Sequence, residues 1–219
     1  MELGRAFIFV NGEIRNLAVI KDRIQPGDLL VAVDGGLRYL QRLGLQPHIL
    51  VGDLDSVGLV QIEPLQNAGV KVFRFSRDKD ETDLELALQM PEVMEARQIL
   101  IVAALGGRLD HTLANIGLLT RPALLEKDVR LEDGATEVFF IRSVGVIQGE
   151  PGDTVSLLPY HAPAAGIWTE GLKYPLVGET LYPDVARGVS NLLTARRATV
   201  HVQSGLLLCV HTRKGEDVL

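Results

Sequence analysis

Short apolar runs and segments of helical periodicity alternate through the first half of the chain. The apolar runs lie at residues 5–12, 28–36, 47–56, 69–76 and 97–107. Each is too short for a free-standing helix, is rich in Val and Ile, and ends in Gly or a polar residue, which predicts β-strands. Segments 37–45 and 82–96 have helical spacing, and the second begins with a Thr82–Glu85 capping box. Strands that are apolar on both faces and alternate with helices predict a mostly parallel sheet with helices on both faces.

Beyond about residue 130, helical periodicity gives way to short strand-like segments separated by turns that contain Gly and Pro. This spacing predicts a small antiparallel β domain, either a sandwich or an open barrel. The turn sequence EDGAT at 132–136 is the predicted boundary. We therefore expect an α/β domain over residues 1–133 and a β domain over residues 134–219.

Charge and composition exclude several classes of partner and of structural site. The 219 residues carry a net charge of −6, which argues against nucleic acid as a partner because backbone binding needs a basic face. Cys209 is the only cysteine, so a disulfide framework and a cysteine-based zinc site are excluded. The N-terminus does not resemble a signal peptide, and no apolar run approaches the roughly 20 residues that span a bilayer. We expect a soluble, cytoplasmic protein without a membrane partner.

Aspartates follow the ends of four successive predicted strands, where ligands bind in parallel α/β sheets. They are Asp34 in DGG, Asp53 and Asp55 in GDLDS, Asp83 in TDLE, and Asp110 in RLDH. A single aspartate here would be explained as a turn residue or a helix N-cap. Like charges along one rim repel unless a cation neutralises them, and Mg²⁺ prefers such oxygen ligands. The set therefore favours a Mg²⁺ site.

The residues that flank these aspartates indicate an anionic ligand. Glycines at 35, 36, 52, 106 and 107 allow close approach of the backbone to such a ligand. Lys79 and Arg108 supply the positive charge that phosphates need, although a solvated surface position is the alternative for Lys79. If strand geometry continues to the tip of the third strand, Asp53 and Asp55 point the same way and Leu54 points into the core.

Several common catalytic signatures are missing from the sequence. It contains no GxxxxGK[ST] or GxGxxG phosphate loop and no GxSxG nucleophile elbow, and Cys209 lies inside a predicted strand. His111 is either a base or a local hydrogen-bond partner of Asp110. These features favour catalysis by positioning and electrostatics, which is typical of phosphoryl-type transfers.

Taken together, these motifs resemble in order and spacing the signature of thiamine pyrophosphokinases. They are DGG (34–36), GDLDS (52–56), KDETDLELAL (79–88) and GGRLDHTLANI (106–116), followed by TEGLKYPL (169–176) and GVSN (188–191) in the second half. The resemblance implies an α/β domain for ATP, a C-terminal β-sandwich, and a homodimer with thiamine in a cleft between subunits. The implied reaction moves the terminal diphosphate of ATP onto the hydroxyl of thiamine and releases AMP.

The resemblance also implies roles for individual residues. Asp53, Asp55 and Asp83 are the expected Mg²⁺ ligands, while Asp34 and Asp110 orient the thiamine hydroxyl or the phosphates. The expected nucleotide contacts are Gly35, Gly36, Ser56, Lys79, Thr82, Arg108, His111 and Asn115. The expected thiamine contacts from the resemblance are Ser190 and Asn191. Trp168 and Tyr174 are candidates on other grounds, because aromatic faces suit the positive thiazolium of thiamine. For Trp168, packing in the β domain or at the dimer interface is the alternative.

Two other functions are compatible with part of the pattern. The sequence DLD at 53–55 is also the DxD pattern by which nucleotide-sugar glycosyltransferases hold a metal and a diphosphate. That class explains GDLDS but not the TDLE helix start or the β domain. A nucleotide-sensing module without turnover is the non-enzymatic alternative. It predicts saturable nucleotide binding and no AMP.

Overall fold

The computed structural model describes residues 4–55 and 59–215, without the side chains of 59–61. The chain divides into two compact units, residues 1–134 and residues 135–219. Unit 1 contains β1 (Arg5–Phe9), α1 (Leu17–Arg23), β2 (Leu29–Val33), α2 (Leu37–Arg42), β3 (Ile49–Gly52), α3 (Leu59–Asn67), β4 (Lys71–Arg74), α4 (Asp83–Leu88), α5 (Pro91–Met94), β5 (Gln98–Val102), α6 (Leu109–Leu118) and β6 (Asp128–Glu132). Single 3₁₀ turns lie at Asp34–Gly36 and Pro122–Leu124.

Unit 1 is built on a parallel sheet with the strand order β6-β5-β1-β2-β3-β4. The five predicted strands are present at shorter bounds, and β6 extends the sheet beyond them. The central strands β1, β2, β3 and β5 are almost wholly buried, as expected when helices cover a parallel sheet. Edge strand β4 is largely exposed. The predicted α/β class is confirmed.

The two predicted helices are shorter than expected. The first stops at Arg42, and Gly44 two residues later adopts a left-handed φ of 69° that ends the helix. The second is divided into α4 and α5, because Pro91 lacks a backbone N–H and opens α5 as its first residue. Among the described residues, none of the helices is long and apolar enough to cross a membrane.

Unit 2 consists of two four-stranded antiparallel sheets. Its strands are β7 (Thr136–Ile141), β8 (Val144–Gln148), β9 (Thr154–Pro159), β10 (Ala164–Glu170), β11 (Val177–Leu181), β12 (Asn191–Leu192), β13 (Arg197–His201) and β14 (Leu207–Thr212). The orders are β12-β9-β14-β7 and β11-β10-β13-β8. One apolar cluster takes side chains from both sheets, for example Phe139 and Leu157 from the first and Ile167 and Val200 from the second. The β-sandwich is therefore confirmed.

A buried ionisable cluster lies within the sandwich. His211 is fully buried between the carboxylates of Asp153, 3.0 Å from its Nε2, and Glu137, 3.8 Å from its Nδ1. The backbone N–H groups of Glu150 and Lys214 also donate to Asp153, at 2.9 and 2.8 Å. Burial raises the pKa of Asp153, but these hydrogen bonds outweigh it and hold the pKa below 3.8. Asp153 thus remains ionised and ties together three segments of unit 2.

We expect Asp153→Asn to lower the free energy of unfolding by about 1–3 kcal/mol at neutral pH, because its amide cannot accept all of these hydrogen bonds. A carboxyl whose pKa is lowered by folding stabilises above its unfolded pKa, here 3.8, and loses that effect as pH falls through the folded value. The difference from wild type should therefore shrink in acid. Urea unfolding at several pH values checks this, with exposed Asp184→Asn as the control. A pH-independent difference would contradict the prediction.

Candidate functional site

The carboxyl ends of the parallel strands surround a cavity of about 920 Å³ in unit 1, here called the acidic cavity. Segments that follow β1, β2 and β5 line it, together with the N-terminus of α4. Its polar and charged lining residues are Asn11, Glu13, Asp34, Arg38, Thr82, Asp83, Arg108, Asp110, His111 and Asn115. The cavity thus lies at the edge where a parallel sheet exposes its ligand-binding loops.

Asp34 and Asp83 form a carboxylate pair in this cavity. Asp34 follows β2 directly, in a left-handed conformation with φ of 47°, and accepts a hydrogen bond from the backbone N–H of Leu54 at 3.3 Å. Burial, the hydrogen bond to Asp83 and the charges of Asp83 and Asp53 raise the pKa of Asp34 from 3.8 to about 7. Asp34 therefore gains or loses its proton near neutral pH, beside the carboxylate of Asp83.

Lys79 and Thr82 position Asp83. The Thr82 side chain caps α4 by accepting from the N–H of Glu85 at 3.2 Å, as the capping box predicts. Asp83 is then the first residue of the helix, where the backbone dipole favours negative charge. The Lys79 ammonium donates to the Asp83 carboxylate, and its side chain is only 14% exposed. A solvated surface position is thereby excluded for Lys79.

The GDLDS segment turns sharply instead of continuing as a strand. Strand β3 ends at Gly52, and the buried Leu54 adopts a left-handed φ of 61°. Asp53 accepts a hydrogen bond from the N–H of Asp55 at 3.0 Å, and Asp55 approaches Arg77 at 3.4 Å. Leu54 is buried as expected, but strand geometry does not continue to the aspartates. The turn, rather than strand alternation, leaves Asp53 and Asp55 both near Arg77, at 4.0 and 3.4 Å. Ser56 lies outside the described residues.

The segment after β5 places a charged pair at the rim. The Nε and Nη2 atoms of Arg108 donate to Asp110, at 3.2 and 2.6 Å, and the two side chains are exposed. The Arg108 guanidinium lowers the pKa of Asp110, which is therefore ionised at neutral pH. His111 is exposed in the first turn of α6, and Asn115 donates to the carbonyl of Ala104 at 3.0 Å. Asn115 thus anchors the loop on which Arg108 lies.

The acidic cavity brings together only part of the expected site. Among the described residues, its lining includes Asp34, Thr82, Asp83, Arg108, Asp110, His111 and Asn115 but not Asp53, Asp55, Lys79, Gly35 or Gly36. Lys79 does not line the cavity but donates a hydrogen bond to Asp83, which does. The charge of Asp53 likewise acts on the cavity residue Asp34, whose pKa it raises.

The expected thiamine contacts belong to unit 2. Asn191 is buried, and its side chain bonds both backbone groups of Tyr174, at 3.0 and 2.7 Å. Ser190 has a left-handed φ of 55° and donates its N–H to Ser156 at 3.0 Å. Trp168 is 53% exposed and Tyr174 is 59% exposed. Core packing within the unit therefore does not explain Trp168.

Sequence reasoning missed the segment after β1. Arg38 donates to the Asn11 side chain and to the carbonyl of Gly12 at 2.8 Å, and the hydroxyl of Tyr39 donates to the same carbonyl at 2.5 Å. Arg38 and Asn11 both line the acidic cavity. The signal was available, because Asn11-Gly12 ends the first apolar run just as Asp34-Gly35 ends the second.

The donors near the acidic cavity have the chemistry of a hard-cation site. Asp53 and Asp83 both act electrostatically on Asp34, and all three offer carboxylate oxygens. Their mutual repulsion is the kind that a divalent cation relieves. Within residues 4–55 and 59–215, no three acidic, His or Cys side chains are already gathered for metal ligation. The residues therefore fit Mg²⁺ by donor type rather than by a closed ligand shell.

Two family models match successive parts of the chain. The model described as "Thiamin pyrophosphokinase, catalytic domain" matches residues 20–131. The model described as "Thiamin pyrophosphokinase, vitamin B1 binding domain" matches residues 143–207. The two matched ranges together include most of the chain, and each falls within one of the two structural units.

Individual relatives agree with the family models. Thiamine pyrophosphokinase from Bacillus subtilis strain 168 is 28% identical over 192 residues, covering 84% of this chain and 87% of that protein. Thiamine pyrophosphokinase 1 from Arabidopsis thaliana is 28% identical over 180 residues, covering 77% of this chain and 67% of that protein.

Solved structures extend the likeness to the fold. The Bacillus subtilis thiamine pyrophosphokinase superimposes with a TM-score of 0.84 at 25% identity, covering 96% of this chain and 99% of that one. The yeast thiamin pyrophosphokinase superimposes with a TM-score of 0.75 at 17% identity, covering 100% of this chain and 90% of that one. At this identity the likeness concerns the fold alone. The chain belongs to the thiamin pyrophosphokinase family.

Proposed function

We propose that this protein is a thiamine pyrophosphokinase, which transfers the terminal diphosphate of ATP to the hydroxyl of thiamine and releases AMP. The observation that carries the proposal is the acidic cavity, where the Asp34–Asp83 pair lies at the same rim as Arg108. Paired carboxylates and a guanidinium suit the transfer of a diphosphate that is held by a cation. No covalent intermediate on the protein is needed, because such transfers depend on positioning and electrostatics.

Unit 1 is the proposed nucleotide-binding and catalytic domain. Arg108 contacts phosphate oxygens from the rim, and its pairing with Asp110 is exchanged for that contact when ATP binds. Lys79 contributes positive charge from behind Asp83. Nucleotide contacts are proposed for Gly35, Gly36, Ser56, Lys79, Thr82, Arg108, His111 and Asn115.

Magnesium is the proposed cofactor, held by Asp53, Asp55 and Asp83 directly or through water. When bound, it neutralises the phosphate oxygens that would otherwise repel an attacking alcohol. Asp83 is the best placed of the three, because it lines the acidic cavity and its orientation is fixed by Lys79 and the helix cap. For Asp55 the ligand role requires it to leave Arg77.

Asp34 is the proposed acceptor of the proton from the thiamine hydroxyl. Its carboxylate is partly buried, lines the acidic cavity and is held by the N–H of Leu54. A base near the operating pH is most effective in this role. Asp110 is exposed, has a lowered pKa and is engaged by Arg108, so we assign it to the orientation of Arg108 and the phosphates.

The experiment that tests this function is incubation of the protein with ATP, Mg²⁺ and thiamine, followed by chromatography of the nucleotides. We expect AMP and thiamine diphosphate in equal amounts, and no AMP when thiamine is omitted or Mg²⁺ is removed with a chelator. Production of ADP, or AMP release that does not depend on thiamine, would overturn the proposal. Saturable ATP binding without turnover would instead indicate a nucleotide sensor. Activity only with a nucleotide sugar would indicate a glycosyltransferase.

Unit 2 is the proposed thiamine-binding and dimerisation domain, with Ser190, Asn191 and Trp168 on the thiamine side. Support comes from large apolar side chains that this unit leaves exposed. They are Val144, Trp168, Tyr174, Val177, Tyr182, Val185 and Val189. Such exposure is typical of interaction surfaces, and aromatic faces suit the positive thiazolium of thiamine. Asn191 shapes this surface through the backbone of Tyr174.

We expect the protein to be a homodimer of about twice 23.9 kDa, with each site formed by both subunits. Light scattering measures the mass. Mixing Asp83→Asn with Trp168→Ala subunits should restore part of the activity, because a mixed dimer contains one intact site. Each variant alone should remain inactive, because none of its dimers contains an intact site. A fully active monomer would contradict this proposal.

The proposed location is the cytoplasm. The single cysteine, Cys209, is buried within β14 of unit 2, so the fold requires no oxidising compartment.

A further inference from the structure

A second cavity, of about 870 Å³, lies in unit 2. It is formed by the β8–β9 turn, the start of β13 and the residues that follow β14. We call it the basic cavity, and its lining residues are Gln148, Gly149, Glu150, Pro151, Asp153, Arg196, Arg197, Arg213 and Lys214. None of the residues assigned to the reaction belongs to this set.

Positive charge is concentrated in the basic cavity although the chain as a whole carries a net charge of −6. Arg196, Arg197, Arg213 and Lys214 all line it. Of the two carboxylates in the lining, Glu150 is exposed and lies 3.3 Å from Arg196. The exposed pairing is weak in water, so Arg196 is readily available to a ligand. Cationic groups therefore outnumber carboxylates by two to one.

The second carboxylate, that of Asp153, holds the segments that line the cavity in place, and its charge is not free to repel an anion. Its two oxygens already accept from the backbone of Glu150 and Lys214 and contact His211. These bonds fix the turn that carries Glu150 and the segment that carries Lys214 in one arrangement. The Asp153 side chain is 4% exposed, and its negative charge is already engaged by these internal hydrogen bonds.

The arginines are held at fixed positions by the sheet. Arg197 is paired with Gln148 in the β8–β13 ladder, and the N–H of Gly149 donates to the carbonyl of Arg196 at 3.1 Å. The backbone N–H of Arg213 donates to the carbonyl of Ala135 at 2.9 Å. A ligand that binds here therefore meets a preformed backbone and has only side chains to order.

We infer that the basic cavity binds a small phosphate-bearing anion at a site separate from the acidic cavity. Guanidinium groups present planar pairs of N–H donors that match phosphate oxygens, and a lysine adds a further charge. Thiamine is excluded as the occupant, because its thiazolium is positive and four cationic groups repel it. The phosphate can come from an inorganic anion or from a nucleotide, since both present the same oxygens.

The probe is inorganic diphosphate, titrated calorimetrically into the protein without Mg²⁺. Wild type should show saturable binding that remains in Arg108→Gln, which alters the acidic cavity. Arg196→Gln with Arg197→Gln should weaken that remaining binding about tenfold or more, because two charge-assisted contacts are lost. The matched control, Arg42→Gln with Lys71→Gln, removes the same charge from exposed positions in unit 1 and should leave it unchanged.

Lys214→Gln provides a second variant, because the backbone N–H of Lys214 that holds Asp153 is retained. It should also weaken diphosphate binding, while the thermal midpoint stays at the wild-type value. Repeating the titration with AMP and ATP identifies whether nucleotide phosphates bind as well as inorganic diphosphate. The inference is overturned if Arg108→Gln alone abolishes all binding, or if the cavity variants and the charge-matched control lose affinity equally.

Discussion

Asp83→Asn is expected to reduce kcat by on the order of a hundredfold or more, with a change in unfolding free energy below about 1 kcal/mol. Asp83 lines the acidic cavity, is bonded by Lys79 and lies against Asp34. An amide there keeps the size and the helix position but removes the charge that a cation or a phosphate assembly requires. Stability changes little, because the lost pairing with Lys79 is offset by relief of repulsion with Asp34.

Steady-state kinetics across Mg²⁺ concentrations and urea unfolding measure the two effects. Asp80→Asn is the matched control, because Asp80 is exposed three residues earlier in the same segment. The control should retain near-normal turnover and an unchanged Mg²⁺ requirement. If Asp83→Asn behaves like Asp80→Asn, the ligand assignment is wrong. A large fall in both activity and stability would instead make Asp83 a structural residue.

The architecture could be predicted from sequence because a parallel strand buried on both faces has a continuous apolar signature. That signature located β1, β2, β3, β4 and β5. It missed β6, where charged Asp128, Arg130 and Glu132 interrupt the apolar run. Helix ends were harder to predict, because Gly44 and Pro91 act through backbone conformation and apolar periodicity continues across both.

The candidate site was partly predictable for the same reason. Strand ends identify which aspartates meet at one edge, so Asp34 and Asp83 could be grouped before any distance was known. The geometry between neighbours could not be derived, since it depends on single dihedral angles. The left-handed turn at Leu54 replaces strand geometry after Gly52 and leaves both Asp53 and Asp55 near Arg77, and it has no apolar or charge signature. Arg38 was missed because its role consists of contacts across the chain to Asn11 and Gly12.

The two glycines of the DGG motif differ in what surrounds them, although sequence reasoning gave both the same role. A Cβ at Gly36 would lie 1.9 Å from the carbonyl oxygen of Phe9 and 3.0 Å from the backbone nitrogen of Val10. A Cβ at Gly35 would lie 2.2 Å from the Asn11 side-chain oxygen. Backbone in β1 cannot move without disturbing the central strand, whereas a side chain can rotate. Gly36 is therefore required for close packing of the Asp34 turn on the sheet.

We expect Gly36→Ala to lower the free energy of unfolding by about 3 kcal/mol or more, because the overlap forces the Asp34 turn away from β1. The same displacement moves Asp34, so activity should fall with stability. Gly35→Ala should cost less stability, about 1 kcal/mol, since Asn11 can yield. Urea unfolding of both variants beside Gly4→Ala, whose Cβ meets nothing within 4 Å, makes the comparison. Equal losses at Gly36 and Gly4 would show that the turn can shift freely, and the close packing of Asp34 against β1 would then have no role in holding the acidic cavity together.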